Sequence, residues 1–297
     1  MKLPDFFVIG AQKAGSTWLL KCLGEHPDIF MPPEEIAFFE DDLYDAARIG
    51  NFASHFAAAK PGQLVGVKRP NLLGHPECIE RLHRHMPELK LVVVLRDPIE
   101  RAVSAYFHYM GTGLLPIVPI EQGLPRILDG ECDRYPRAGE IVEFSLYHRH
   151  LQDYAARFGR ERIFVSLLDD IKRDAHGELR RLYVWLGVHD DFLPTTIDER
   201  PMQAAYSLTR LRLRESIARP CRTWTSDGKY FRVARDPLRK WIYGVNVAVD
   251  RLLWSRLFRA RPPQLPAELR QRLADRFSTE IAGLETWLDR DLSKWKR

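Results

Sequence analysis

Residues 6–20 constrain the fold more than any other stretch of this 297-residue chain. Phe6, Phe7, Val8 and Ile9 run without polar interruption into Gly10. An apolar run of aromatic and β-branched residues is how a strand buried on both faces reads. A short loop with Lys13 and Gly15 follows. Ser16 and Thr17 then open a helical pattern in which Trp18, Leu19, Cys22 and Leu23 share one broad apolar face. A buried strand, a loop of small residues and a helix N-terminus together cradle an anion. Loop amides point into the cradle, the helix dipole adds about half a positive charge, and glycine lets a phosphate approach the backbone.

The rest of the chain repeats the alternation. Residues 29–31 read as a short strand ahead of Pro32 and Pro33, and residues 41–62 as one or two surface helices. Residues 63–68 form a second strand pattern that ends on Lys68, before Arg69 and Pro70. A helix over 79–86 is closed by Pro87. Residues 89–95 give the strongest strand, ending in Arg96, Asp97 and Pro98, with Asp97 placed to cap a helix and Pro98 to begin it. That helix carries Arg101, Ser104, Tyr106 and His108. Residues 111–139 are rich in Gly and Pro and long enough to be functional. One long helix is expected over 142–158, a strand over 163–168 and a helix over 175–186. This pattern predicts an α/β protein with a parallel sheet flanked by helices, whose ligand sits beyond the carboxyl ends of the strands. Lys13, Lys68 and Arg96 each follow a predicted strand end. Three cations so placed point to a polyanionic small molecule.

Composition narrows the class. Hydrophobic residues at 45% and charged residues at 29% are ordinary for a soluble globular protein. No run of 18 apolar residues suggests a transmembrane helix. Residues 1–5 lead straight into the first strand, so we expect no cleaved leader and a cytoplasmic location. Cys22, Cys78, Cys132 and Cys221 lie far apart without metal spacing and read as free thiols, and no metal site is expected. The net charge of +5 is uneven: residues 206–262 hold 14 Arg/Lys against 4 Asp/Glu.

The order of residues in the first loop decides between phosphate cradles. A nucleotide-hydrolysing P-loop reads GxxxxGK[ST], with Lys after the glycines. Here Lys13 precedes Gly15, no predicted strand ends in an Asp suited to magnesium, and no GxGxxG fingerprint is present. The loop resembles the first cofactor loop of sulfotransferases that use 3′-phosphoadenosine 5′-phosphosulfate (PAPS), matched by Lys13, Gly15, Ser16, Thr17 and Trp18. A second family element is a buried strand followed by R-[DN]-P and a Ser eight residues after the Arg. It is matched by Arg96, Asp97, Pro98 and Ser104. The resemblance covers residues 5–190 and 265–296, and it leaves about 200–262 unmatched. Phe38, Phe39 and Lys68 look most like the carbohydrate-modifying, heparan-type branch. The chain departs from that branch at Glu34, where the family has Lys, and at Ala37, where it has His.

The resemblance implies a P-loop-nucleotide-kinase-like sulfotransferase fold in a single domain, 1–297. It carries a basic helical insertion at about 200–262 and a C-terminal helix at about 265–288. It implies a donor site of Lys13, Ala14, Gly15, Ser16, Thr17 and Trp18, with Trp18 over the adenine and Arg96 and Ser104 on the 3′-phosphate. Lys13 would stabilise the leaving bridging oxygen, and Lys68 the transferring sulfonate. Glu35 is first choice for the general base, with His75 and His108 in reserve. The implied donor is PAPS and the product 3′-phosphoadenosine 5′-phosphate (PAP), with no metal required. The implied acceptor is a hydroxyl or amine of a saccharide or glycolipid. The rival readings are a nucleotide-dependent kinase on a related fold, and a non-catalytic polyanion- or membrane-binding protein.

The basic stretch keeps three readings. Leu208, Leu211 and Leu213 interleave with Arg210, Arg212 and Arg214, and residues 241–258 read as a helix rich in Trp, Val and Leu. It could meet anionic lipid at a membrane interface, wall the cleft for an anionic saccharide, or be a helical insertion with a solvated basic face. No nucleic-acid motif is visible.

Overall fold

The apolar runs become strands and the amphipathic stretches helices in the computed structural model, which describes residues 1–40, 43–132, 134–199 and 204–296. The chain order begins β1 (Phe6–Gly10), α1 (Ser16–Glu25), β2 (Ile29–Phe30), α2 (Ile49–Ser54), β3 (Leu64–Lys68), α3 (Glu77–His85) and β4 (Lys90–Leu95). It continues α4 (Pro98–Thr112), α5 (Ile120–Leu128), α6 (Glu140–Glu143), α7 (Tyr147–Phe158), β5 (Ile163–Leu167), α8 (Leu168–Arg173) and α9 (Ala175–Leu186). The last part holds α10 (Leu208–Ala218), β6 (Arg222–Trp224), β7 (Phe231–Val233), α11 (Pro237–Val249), α12 (Ser255–Leu257) and α13 (Ala267–Leu288).

Two compact units share the chain. The first comprises Met1–Asp97, Leu146–Met202 and Glu280–Leu292, and contains the five-stranded sheet in the order β2-β3-β1-β4-β5. All its pairings are parallel. Every residue of β1 is buried, as a central strand covered on both faces requires. Phe6 lies opposite Gly66 of β3, where an added Cβ would come within 2.2 Å of the Phe6 ring and 2.4 Å of the Met31 sulfur. A glycine is therefore needed for the central strands to close on their side chains. Between Val8 and Gly10 the β1–β4 register shifts, and this bulge turns the chain into the loop before α1.

The second unit comprises Pro98–Ser145, Gln203–Thr279 and Ser293–Arg297. It holds α4, α5, α6, α10, the antiparallel β6–β7 hairpin and α11. Arg222 at the hairpin is buried and donates to the Glu215 carboxylate at 2.7 Å and the Thr112 carbonyl at 2.9 Å. The Gly- and Pro-rich segment 111–139 contains α5. The hairpin has no counterpart in the sequence reading, because strands of three residues carry too little alternation to register.

The single helix expected over 142–158 is instead α6 and α7, separated at Ser145. The cause is Arg101 of α4, which is fully buried. Its Nε donates to Ser145 Oγ at 2.5 Å, and one terminal nitrogen donates to the carbonyls of Glu140 and Ile141. A continuous helix would pair the Ile141 carbonyl with the Ser145 amide. That amide turns back to Val142 O at 2.9 Å instead. Replacing Arg101 with Leu should lower unfolding free energy by about 2–4 kcal/mol, since buried acceptors lose a charged donor. Urea denaturation checks this, and a loss within experimental error would contradict it.

Candidate active site

Three neighbouring strands of the parallel sheet deliver one cation each at their carboxyl ends. Lys68 is the last residue of β3, Lys13 lies in the loop after β1, and Arg96 follows β4 directly. In the order β3-β1-β4 these ends are adjacent, and all three residues belong to the first unit. The spacing of strands in a sheet is about 4.8 Å, so parallel neighbours bring their exits together without further design.

The loop itself is tightly specified. Lys13 and Gly15 both adopt left-handed backbone conformations, with φ of 70° and 102°. Gly15 occupies the N-cap of α1 and has no side chain to cap it, and no acidic residue lies in the first turn. The N-terminal amides and the dipole of α1 thus keep their positive character. The Ala11 amide donates to Val94 O at 2.7 Å, Gln12 donates to Asn71 Oδ1 at 3.0 Å, and Arg96 donates to the Lys13 carbonyl at 3.4 Å. These bonds tie the loop to the exits of β3 and β4. Ser16 is buried at the start of α1 and Thr17 is exposed beside it.

Lys68 is 5% exposed, and its ammonium donates to Glu35 Oε1 at 2.5 Å and to Thr17 Oγ1 at 3.3 Å. The second oxygen of Glu35 accepts from Arg69 at 3.1 Å. Arg69 in turn makes a two-point pair with the buried Glu40, including a 2.7 Å bond. Glu40 therefore anchors Arg69, and Arg69 with Lys68 orients the Glu35 carboxylate. Arg69 and Glu40 escaped the sequence reading as site residues. Their signal was their adjacency to Lys68 and to Phe38-Phe39, which says nothing of pairing across 29 positions.

Burial pulls the Lys13 ammonium down from 10.5 to about 8, with Arg96 and Lys68 pushing the same way and Glu35 opposing. Three cations against one carboxylate leave the strand ends with a net positive charge that suits an anionic ligand.

Other expected residues fall differently. Trp18 is 5% exposed and donates its indole N–H to Ile197 O at 3.0 Å. It is a hydrogen-bonded core residue in this structure, which leaves its ring little open face for an adenine. Of the three candidate bases, Glu35 is bonded to a site cation. His75 Nδ1 pairs with Glu77 at 2.9 Å. His108 and Ser104 both lie on α4, in the second unit.

The fold and these residues define an α/β protein whose first strand leads, through a loop with lysine before glycine, into an uncapped helix N-terminus. The Sulfotransferase domain family model matches residues 3–232, and the chain belongs to that family. The match extends beyond residue 200, into the segment that the motifs left unassigned. Human heparan sulfate glucosamine 3-O-sulfotransferase 3B1 is 28% identical over 188 residues, 63% of this chain and 47% of that protein. The mouse 3-O-sulfotransferase 6 is 28% identical over 191 residues, 63% of this chain and 53% of that protein. The chain thus spans about half the length of the curated relatives it matches. A sulfotransferase from Alicyclobacillus acidocaldarius has a TM-score of 0.70 at 22% identity, with both chains fully covered. Mouse sulfotransferase SULT7A1, solved with PAP, has a TM-score of 0.51 at 16% identity, covering 97% of this chain and 87% of that one. Both likenesses establish the fold.

The Lys13 charge has a stability consequence with a definite sign. Its folded value lies below its unfolded one, so the charged amine opposes folding at every pH below about 8. That cost fades as pH rises toward the unfolded value. Lys13→Met should therefore raise the melting temperature of the ligand-free protein at pH 7 by several degrees. The gain should vanish near pH 10.5, the ordinary lysine value. Melting curves across pH check this, and an unchanged or lowered melting temperature at pH 7 would contradict it.

Proposed function

We propose that this protein transfers a sulfuryl group from PAPS to a hydroxyl, or an amine, of a saccharide or glycolipid. The observation that carries the reading is the row of cations on three adjacent strand ends, with the Glu35 carboxylate held against one of them. Membership of the sulfotransferase family supports the reaction class. The heparan sulfate names of the relatives support a saccharide acceptor.

Bound PAPS would supply the transferable sulfuryl group and a phosphate leaving group. Lys13 is assigned to the bridging oxygen, where negative charge grows as the bond to sulfur breaks. A preorganised donor at such an oxygen is worth a few kcal/mol of barrier, on the order of 100- to 1000-fold in rate. Lys68 is assigned to the sulfonate oxygens, and Ser16 and Thr17 with the α1 amides to the 5′-phosphate. Arg96 carries the fixed fork that suits a 3′-phosphate. Glu35 accepts the acceptor proton. Each carboxylate oxygen keeps a lone pair beyond those used by Lys68 and Arg69, so the two cations can orient the base without occupying it fully.

Glu35→Gln keeps the shape and removes the base. Turnover with labelled donor and a sulfated-glycan or glycolipid extract should fall about 100-fold or more, with PAP affinity within about twofold of wild type. Turnover near wild type would remove Glu35 from the mechanism. Arg96→Ala should weaken PAP at least tenfold, while adenosine 5′-phosphosulfate changes little, because one charged pair to the 3′-phosphate is worth about that much. Equal losses for both nucleotides, measured by titration calorimetry, would overturn the Arg96 assignment.

A further inference from the structure

The helix of the basic stretch presents its apolar residues outward. Within α11 and its continuation, Leu238 is 63% exposed, Trp241 66%, Val245 39% and Leu252 67%. At about 100° per residue, Leu238, Trp241, Val245, Ala248 and Leu252 fall within an arc of about 80°. The opposite face is the anchored one. Asn246 donates to Arg214 O at 3.0 Å, and Asp250 accepts two bonds from Arg210 at 2.6 and 2.9 Å. Both residues are buried against α10. The helix is thus held to its unit by a polar face and shows solvent an apolar one, the reverse of an ordinary surface helix.

The stripe does not stop at the end of α11. Residues Asp250–Trp254 form a turn of π-helix, whose wider winding leaves Leu252 and Leu253 exposed side by side. Leu257, 65% exposed in α12, follows one turn later. Charge flanks the stripe with one sign. Between residues 237 and 261 stand Arg239, Lys240, Arg251, Arg256, Arg259 and Arg261, all exposed, against the single acid Asp250, which is already paired.

We propose that this face is a membrane-docking surface, with α11 lying in the plane of an anionic lipid interface. Its apolar stripe would enter the boundary between headgroups and acyl chains, and its arginines would meet the lipid phosphates. Charge complementarity selects this occupant. A second copy of the chain would bring the same six cations against themselves, whereas an anionic bilayer satisfies the leucines and the arginines together. Trp241 suits the position, since an indole favours the headgroup level. Among the described residues no helix is long and apolar enough to cross a membrane, and the proposed contact is one that lies on the surface.

The test uses the full chain in flotation with phosphatidylcholine vesicles, with and without about 30% phosphatidylserine, at moderate salt. The expected result is binding to the anionic vesicles and little to the neutral ones. Replacing Leu238, Trp241 and Leu252 together with Glu should reduce binding at least tenfold. An unchanged melting temperature and PAP affinity would show that the variant is folded. Sedimentation of both proteins without lipid completes the experiment. Absence of wild-type binding, equal binding by the folded triple variant, or a wild-type dimer that the variant dissociates would each overturn the proposal. If the triple variant fails to fold, Trp241→Ala alone, with quenching by brominated lipid as readout, decides the same question.

Discussion

Like charges resist being gathered, and the first unit gathers three of them. Lys13, Lys68 and Arg96 stand at the ends of β1, β3 and β4 because parallel strands, once adjacent, must finish on the same edge. Burial first, and Arg96 and Lys68 after it, pull the Lys13 ammonium down to about 8. What makes the arrangement tolerable is a single network of opposite charge. Glu35 bridges Lys68 and Arg69, and buried Glu40 fixes Arg69. The surplus of positive charge left over lies at the carboxyl ends of β1, β3 and β4. Ligand affinity and ligand-free instability have the same origin.

That network also links geometry to chemistry. The loop after β1 is fastened to its neighbours at Ala11, Gln12 and the Lys13 carbonyl, so the lysine is presented by backbone conformation rather than by a flexible reach. Glu35 comes from an irregular segment, yet its carboxylate is located by two cations from the end of β3. The Lys13 loop and the Glu35 carboxylate are thereby set relative to one sheet. Fixed placement of this kind lowers the cost of orienting a bound ligand.

Much of this was legible in the sequence, and for a physical reason. The buried strands β1, β3, β4 and β5 are short apolar runs bounded by breaking residues, and each announces itself locally. The order of Lys13 before Gly15 is likewise local and is read directly from the sequence. What stayed hidden depends on contacts distant in sequence. Arg101 breaks a helix 40 residues away by taking the Ile141 carbonyl. Trp18 reads equally as an adenine cover and as core, and only the Ile197 carbonyl, 179 positions on, decides its surroundings. The outward apolar stripe of α11 has the same periodicity as an inward one. Periodicity reveals an amphipathic helix but not which face meets the protein.

The cationic row, with the α1 amides, is proposed to recognise a 3′-phosphorylated adenine nucleotide without a metal ion. Calorimetric titration of PAP in the presence of a chelator, alongside ATP with magnesium, tests that most directly. The account predicts PAP binding in the micromolar range or tighter without metal, weakened by added salt and by raising the pH past 8, the folded value of Lys13. Failure of PAP to bind under those conditions, or preference for magnesium-ATP, would contradict it.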